Sequence, residues 1–211
     1  KDEAVKLVSI GDPVTFRVGV ERLQGTRLTS RAFDDKMGAF IVAQVLREVR
    51  RQNRMTVDLH GVSTVQEEVG LRGGATSAYG VQPDIGIAVE VGFASDYPGA
   101  DHKDLCEVSL GKGPVIARGP NINPVLFDLL IKTAEEEKIP CQIMGIPRAT
   151  GTDANVMQLV HGGVATALIS IPLRYMHTPV EVLDWVDLEG AVKLLSALCS
   201  RINKDHSFVP N

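Results

Sequence analysis

The most apolar run of the chain, residues 164–171 (VATALISI), limits what the chain can fold into. Extended by Pro172 it is still interrupted by Thr166 and Ser170 and is far short of the roughly 20 apolar residues that a membrane-spanning helix needs. A run so rich in β-branched and aliphatic residues, bounded by turn residues, reads as a strand buried on both faces. Residues 84–91 (DIGIAVEV) and 141–146 read the same way. Between such runs lie segments of helical spacing: apolar residues fall at 37, 40, 41, 45 and 49, and Asn123-Pro124 opens a second helix with a cap and a first-turn proline. Strands and helices alternating at short spacing predict an α/β fold, a three-layer sandwich whose mostly parallel central sheet is covered on both faces.

The edges of that fold are less regular. Residues 14–20 read as a strand with no partner nearby, and residues 21–30 as a polar linker. The expected organisation is therefore a remnant of a small β unit over residues 1–22, followed by a main domain over residues 23–211. Residues 56–65 read as a further strand, residues 71–79 as a turn into a short helix, and residues 150–163 as a helix with His161 in its last turn, where an imidazolium suits the helix dipole. Asp187 reads as the cap of a final amphipathic helix.

Composition removes several classes of function. A net charge of −4 gives no electrostatic footprint for nucleic acid. The three cysteines, Cys106, Cys141 and Cys199, are widely separated and form no CxxC pair, which argues against a thiolate zinc site and for a reducing, cytoplasmic compartment. No membrane partner is expected.

The chemistry lies where strands end and helices begin. Glu67 and Glu68 follow the predicted strand 56–65, a place where open α/β sheets build sites. Glu90 is a charge inside an apolar run, disfavoured unless paired or metal-bound. Asp34 and Asp35 precede a helix that needs only one of them as a cap. His177 follows the most apolar strand. Carboxylates and one imidazole, without thiolates, suit Zn²⁺ or a related ion in a catalytic site. Each residue alone also has a plain reading: a solvated Glu-Glu pair, a cap, a structural histidine. His102 reads as a solvated loop histidine. Thr152 and Asp153, at a helix start, are explained by capping as well as by contact with a substrate.

Taken in order, RAFDDKMG (31–38), VQEEVG (65–70), IAVEVGFASDYPG (87–99), GTDA (151–154) and IPLRYMHTP (171–179) resemble the dinuclear metal aminopeptidases of the glutamyl aminopeptidase, deblocking aminopeptidase and TET type. The resemblance covers nearly the whole chain. It implies a zinc-exopeptidase-like fold, two divalent ions (Zn²⁺ or Co²⁺) per subunit, peptide substrates and homo-oligomers from dimer to dodecamer. It implies Asp34 as the ligand shared by both metals, Glu67 as general base, Glu68 and His177 on one metal, and Glu90 on the other. Members commonly carry aspartate at the position of Glu90, and Asp96 is a fallback for that role. A cis peptide between Asp34 and Asp35 is also implied. The family's upstream His-x-Asp motif has no match, since His60 is followed by Gly61 and Val62. The expectation is thus a fragment, either active or inactive. An endoglucanase-type glycoside hydrolase is the alternative, although one Trp, three Tyr and six Phe are few for stacking on sugars.

Overall fold

The computed structural model describes residues 3–100 and 106–210. The elements in chain order are α1 (Ala4–Leu7), β1 (Glu21–Arg22), β2 (Arg27–Ser30), α2 (Phe33–Gln52), α3 (Arg72–Val81), β3 (Ile85–Phe93), β4 (Val115–Arg118), α4 (Pro124–Glu136), β5 (Gln142–Gly145), α5 (Asp153–Met157), β6 (Ala165–Leu173), β7 (Glu181–Asp184) and α6 (Trp185–Arg201). They make a mixed α/β fold. The main sheet has the order β3-β6-β4-β5, with β3 parallel to β6, β4 parallel to β5, and β4 antiparallel to β6.

The most apolar run of the chain becomes β6, an inner strand buried along nearly its whole length. It is flanked by β3 in a nine-pair register running from Ile85↔Ala165 to Phe93↔Leu173, which brings the carboxyl ends of both strands to one rim. Helix α2 turns Ile41, Val45 and Val49, one turn apart, into the core, and α6 answers with Leu188, Ala191, Leu194, Leu195 and Leu198. Each Val, Leu or Ile among them gains about 1.5–3 kcal/mol by leaving water. Helices α2, α4 and α6 pack into one layer, while α3 and α5 pack on each other and α5 meets β3 and β6. As the sequence predicts, the Asn123 side chain accepts from Leu126 N at 3.0 Å to cap α4.

Several expectations change. Residues 56–65 form no strand, and Leu59, Val62 and Val65 stay exposed. The β-branched and apolar residues supply propensity, but a strand needs a ladder, and no described residue forms one with this segment. Residues 14–20 are likewise unpaired. The supposed linker 21–30 holds the hairpin β1–β2, which joins β7 in a second, antiparallel sheet of order β1-β2-β7. Strands β4 and β7 carry no periodic signal in the sequence, since each is only four residues long. Strand β5 alternates between half-buried and exposed rather than being buried throughout, because it lies at the sheet edge.

Helix α5 ends at Met157, so His161 stands beyond it in a turn at φ 50°, with Nε2 3.0 Å from the Tyr79 carbonyl oxygen and its ring stacked on Tyr79. Helix α6 starts two residues earlier than Asp187. Asp184 is its cap, accepting from Val186 N at 3.1 Å. Asp187 lies inside the first turn and accepts instead from Gly111 N and Gly113 N at 2.8 and 2.7 Å.

Candidate active site

Three segments distant in sequence meet at the rim where β3 and β6 end. The first is the entrance to α2. Asp34 and Asp35 have non-helical backbone angles, and the peptide between them is cis. Asp35 takes the capping role, its Oδ1 accepting from Gly38 N at 2.8 Å. Asp34 is left free to point elsewhere.

The second segment is VQEEVG. It is a tight turn seated on the start of α3, with Gly73 N donating to Val65 O at 2.9 Å and Leu71 N to Glu67 O at 2.9 Å. Gln66, Gly70 and Leu71 all take positive φ. Gly73 is required there, because a Cβ would strike the Val65 backbone. The turn lifts Glu67 and Glu68 out on its crest.

The third segment, residues 174–181, leaves β6 and folds back. Arg174 pairs with Val182 through two backbone hydrogen bonds of 2.8 and 3.0 Å. His177 lies within this fold-back at φ 64°. Its Nε2 stands 2.9 Å from Asp34 Oδ2 and 3.7 Å from Glu68 Oε2. The ligand atoms of Asp34, Glu68 and His177 all fall within 4.8 Å of one another. Asp34 is mostly buried at the base, whereas Glu68 and His177 are open to solvent at 60% and 59% side-chain exposure, as a site that admits a ligand requires.

Glu90 does not join that trio. It is buried on β3 opposite Ser170, and the carboxyls acting on it most strongly are Asp35, Glu67 and Asp153. Asp153 is buried at the start of α5 with Oδ1 lacking any hydrogen-bond partner among the described residues. Neither it nor Thr152 caps the helix through its side chain in the way the sequence allowed; Thr152 Oγ1 lies 3.2 Å from Thr150 Oγ1. Asp96, the fallback ligand, is forked by Arg174 instead. His102 falls outside the described residues.

The electrostatics follow from this crowding. Burial first, then the charge of Glu68, raises Asp34 to about 6, against the opposing pull of His177. Burial raises Asp35 to about 7 despite the Gly38 N–H, and burial with the Glu68 charge raises Glu67 to about 7. Glu90 is pushed up to about 9 by burial and then by Asp35. Carboxyls held this close resist ionising together, and a divalent cation is the ordinary remedy. Two carboxylates and an imidazole fit such an ion.

One residue at the site is not visible as such in the motifs. Glu181, 2% exposed, accepts from Phe33 N at 2.6 Å and Asp34 N at 3.3 Å through Oε2, and from His177 N at 3.1 Å through Oε1. Its signal was available: an acidic residue inside the apolar run 180–183, the same pattern that singled out Glu90.

Residues 1–194 match the family model described as M42 glutamyl aminopeptidase. The chain belongs to that family. An M42 relative, the lysyl aminopeptidase of Pyrococcus furiosus, is 40% identical over 201 residues, covering 95% of this chain and 56% of the relative. Among solved structures, the aminopeptidase APDkam598 of Desulfurococcus kamchatkensis superposes with a TM-score of 0.88 at 39% identity, covering 96% of this chain and 57% of that one. The TET1 peptidase of Pyrococcus horikoshii, described as assembling into a tetrahedron or a large octahedral shell, does so with a TM-score of 0.76 at 29% identity, covering 95% and 58%. The chain thus spans a little over half the length of the M42 relatives it matches.

Proposed function

We propose that this chain carries most of the catalytic site of a metal-dependent M42 aminopeptidase, which removes N-terminal residues from peptides. The observation behind this reading is the convergence of Asp34, Glu68 and His177 within 4.8 Å, with Glu67 beside them on the same turn. These three residues would hold one divalent ion, Zn²⁺ or Co²⁺. Asp34 and Glu90 would contribute to a second, together with groups beyond those described. When bound, the ions polarise a carbonyl and lower the pKa of water.

Glu67 acts as the general base. In the metal-free chain, burial and the neighbouring Glu68 raise it to about 7, so it binds a proton more readily than an isolated carboxyl does. It takes a proton from the attacking water and gives it to the leaving amine. Asp35 holds the start of α2, fixing the direction in which Asp34 points. Thr152 and Asp153 line the approach from α5 and contact the substrate.

Residues 23–211 form the catalytic unit in this reading. Residues 1–20, whose described side chains are exposed, belong to a small inserted β unit, while β1 pairs with β2 of the catalytic unit. The assembly of the TET relative supports an oligomer for the complete protein. No described helix is long and apolar enough to cross a membrane, and the cysteines are free, as in a cytoplasmic protein.

The test is Glu67→Gln in the complete protein, assayed on chromogenic aminoacyl anilides. Turnover should vanish while metal content is kept; retained turnover removes Glu67 as the base. A chelator should abolish anilide hydrolysis, and hydrolysis of soluble cellulose in its presence would favour the glycosidase alternative.

A further inference from the structure

We propose that Glu181 is a positioning residue that locks two ligands of the site, Asp34 and His177, into a single metal-ready geometry. The proposal rests on the metal-site reading above. Asp34 and His177 belong to segments 143 residues apart, and each is borne by irregular backbone: Asp34 beside a cis peptide, His177 at positive φ. The β2–β7 ladder brings the two segments together but ends at Ser30↔Glu181, short of both ligands.

Glu181 links the two ligands with one side chain. It opens β7 and pairs in register with Ser30 at the end of β2, which places it beside the chain entering α2. From there Oε2 takes the N–H groups of Phe33 and Asp34, while Oε1 takes the N–H of His177. The side chains of the same two ligands then meet on the other side, His177 Nε2 to Asp34 Oδ2, at 2.9 Å. Glu181 is 2% exposed and makes no ion pair among the described residues, so its burial is compensated by these backbone donors. A buried carboxyl without a cation is costly, and an apolar residue would suit the strand Val182-Leu183 better. The acid is explained by what it holds.

Partners of this kind outside the ligand set usually change metal affinity 10–100-fold when removed. The test uses Co²⁺ and the full chain, with Glu181→Gln, Glu181→Ala and the control Asp187→Asn. Asp187 is also a buried carboxyl holding two backbone N–H groups, but on Gly111 and Gly113, in a loop that contributes no ligand. Both Glu181 variants should weaken Co²⁺ binding, roughly 10–100-fold for alanine. They should also alter the visible d–d spectrum of bound Co²⁺. Glutamine should fall between, since its oxygen still serves Phe33 and Asp34 while its amide opposes the His177 N–H. Asp187→Asn should lower the unfolding midpoint and leave affinity and spectrum as in the unaltered chain. If Glu181→Gln folds and binds Co²⁺ with unchanged affinity and spectrum, the positioning role is wrong while the metal site stands. If the unaltered chain binds no Co²⁺, both readings fall.

Discussion

Arg174 grips Asp96 with both ends of its guanidinium, Nε to Oδ1 and Nη2 to Oδ2, each at 2.8 Å. The same carboxylate accepts from Leu110 N at 3.0 Å, so it ties the segment after β3, the residues before β4 and the approach to His177 together. Burial alone would raise Asp96, but the Arg174 and Leu110 hydrogen bonds win and hold it below the usual carboxylate range. A lowered native pKa gives stability that is present above the unfolded value of about 3.9 and is lost as pH falls through the lower native one. Asp96→Asn should therefore cost about 1.5–3 kcal/mol at pH 7, the range for hydrogen bonds to charged groups. Urea unfolding at pH 7 and pH 3 should show the gap between variant and unaltered chain closing in acid. Metal content should not change, because Asp96 is engaged by arginine.

The acidic cluster behaves in the opposite sense. Asp34 near 6, Asp35 and Glu67 near 7 and Glu90 near 9 hold protons more tightly in the native chain than when unfolded. Their contribution is complete below the ordinary carboxylate range and is lost as pH rises through 6 to 9. Without metal, the chain should become less stable between pH 5 and pH 9. A bound cation should reverse the trend and expel protons. Titrating Zn²⁺ calorimetrically at pH 6.5 in two buffers of different ionisation enthalpy should show proton release, and affinity should rise with pH.

The parts legible in the sequence were those whose signal is local. Long periodic elements such as α2 and β6 announce themselves by their own residues, and Asn123-Pro124 marks its helix start without help. What escaped depended on partners. Strand β7 is only Glu181–Asp184 and exists because β2 lies beside it. Residues 56–65 have the strand pattern and lack the partner. At the site, the acidic pairs and His177 could be named from their motifs, but the division of labour between Asp34 and Asp35 needed the cap on Gly38, and Glu181 needed three backbone donors from two segments.

Two histidines look alike in sequence and differ in surroundings. His161 stacks on Tyr79 and contacts its carbonyl, on the surface next to α3. His177 faces Asp34 and Glu68. His161→Ala should lower stability by roughly 0.5–1.5 kcal/mol, the worth of one hydrogen bond, and leave metal binding intact. His177→Ala should do little to the metal-free unfolding midpoint and should remove tight binding at the trio. Equilibrium dialysis of both variants against Zn²⁺ separates the two outcomes.

Gly38 offers the sharpest steric prediction. It sits in the first turn of α2, and a Cβ there would run into the Asp35 carboxyl and the Val89 carbonyl of β3. The side chain of Asp35 can turn away, although it then releases the Gly38 N–H; the Val89 carbonyl is part of the sheet and cannot. Alanine in a helix interior normally gains about 1 kcal/mol over glycine. At Gly80, in the last turn of α3, a Cβ meets nothing within 4 Å, so part of that gain should appear. At Gly38 the clash should outweigh it, for a net loss of about 1–3 kcal/mol. Because α2 would have to lift from β3 at the turn that carries Asp34, Gly38→Ala should also weaken metal binding. Denaturant midpoints and Co²⁺ affinity measured on the pair should move in opposite directions for stability, and only the Gly38 variant should lose affinity.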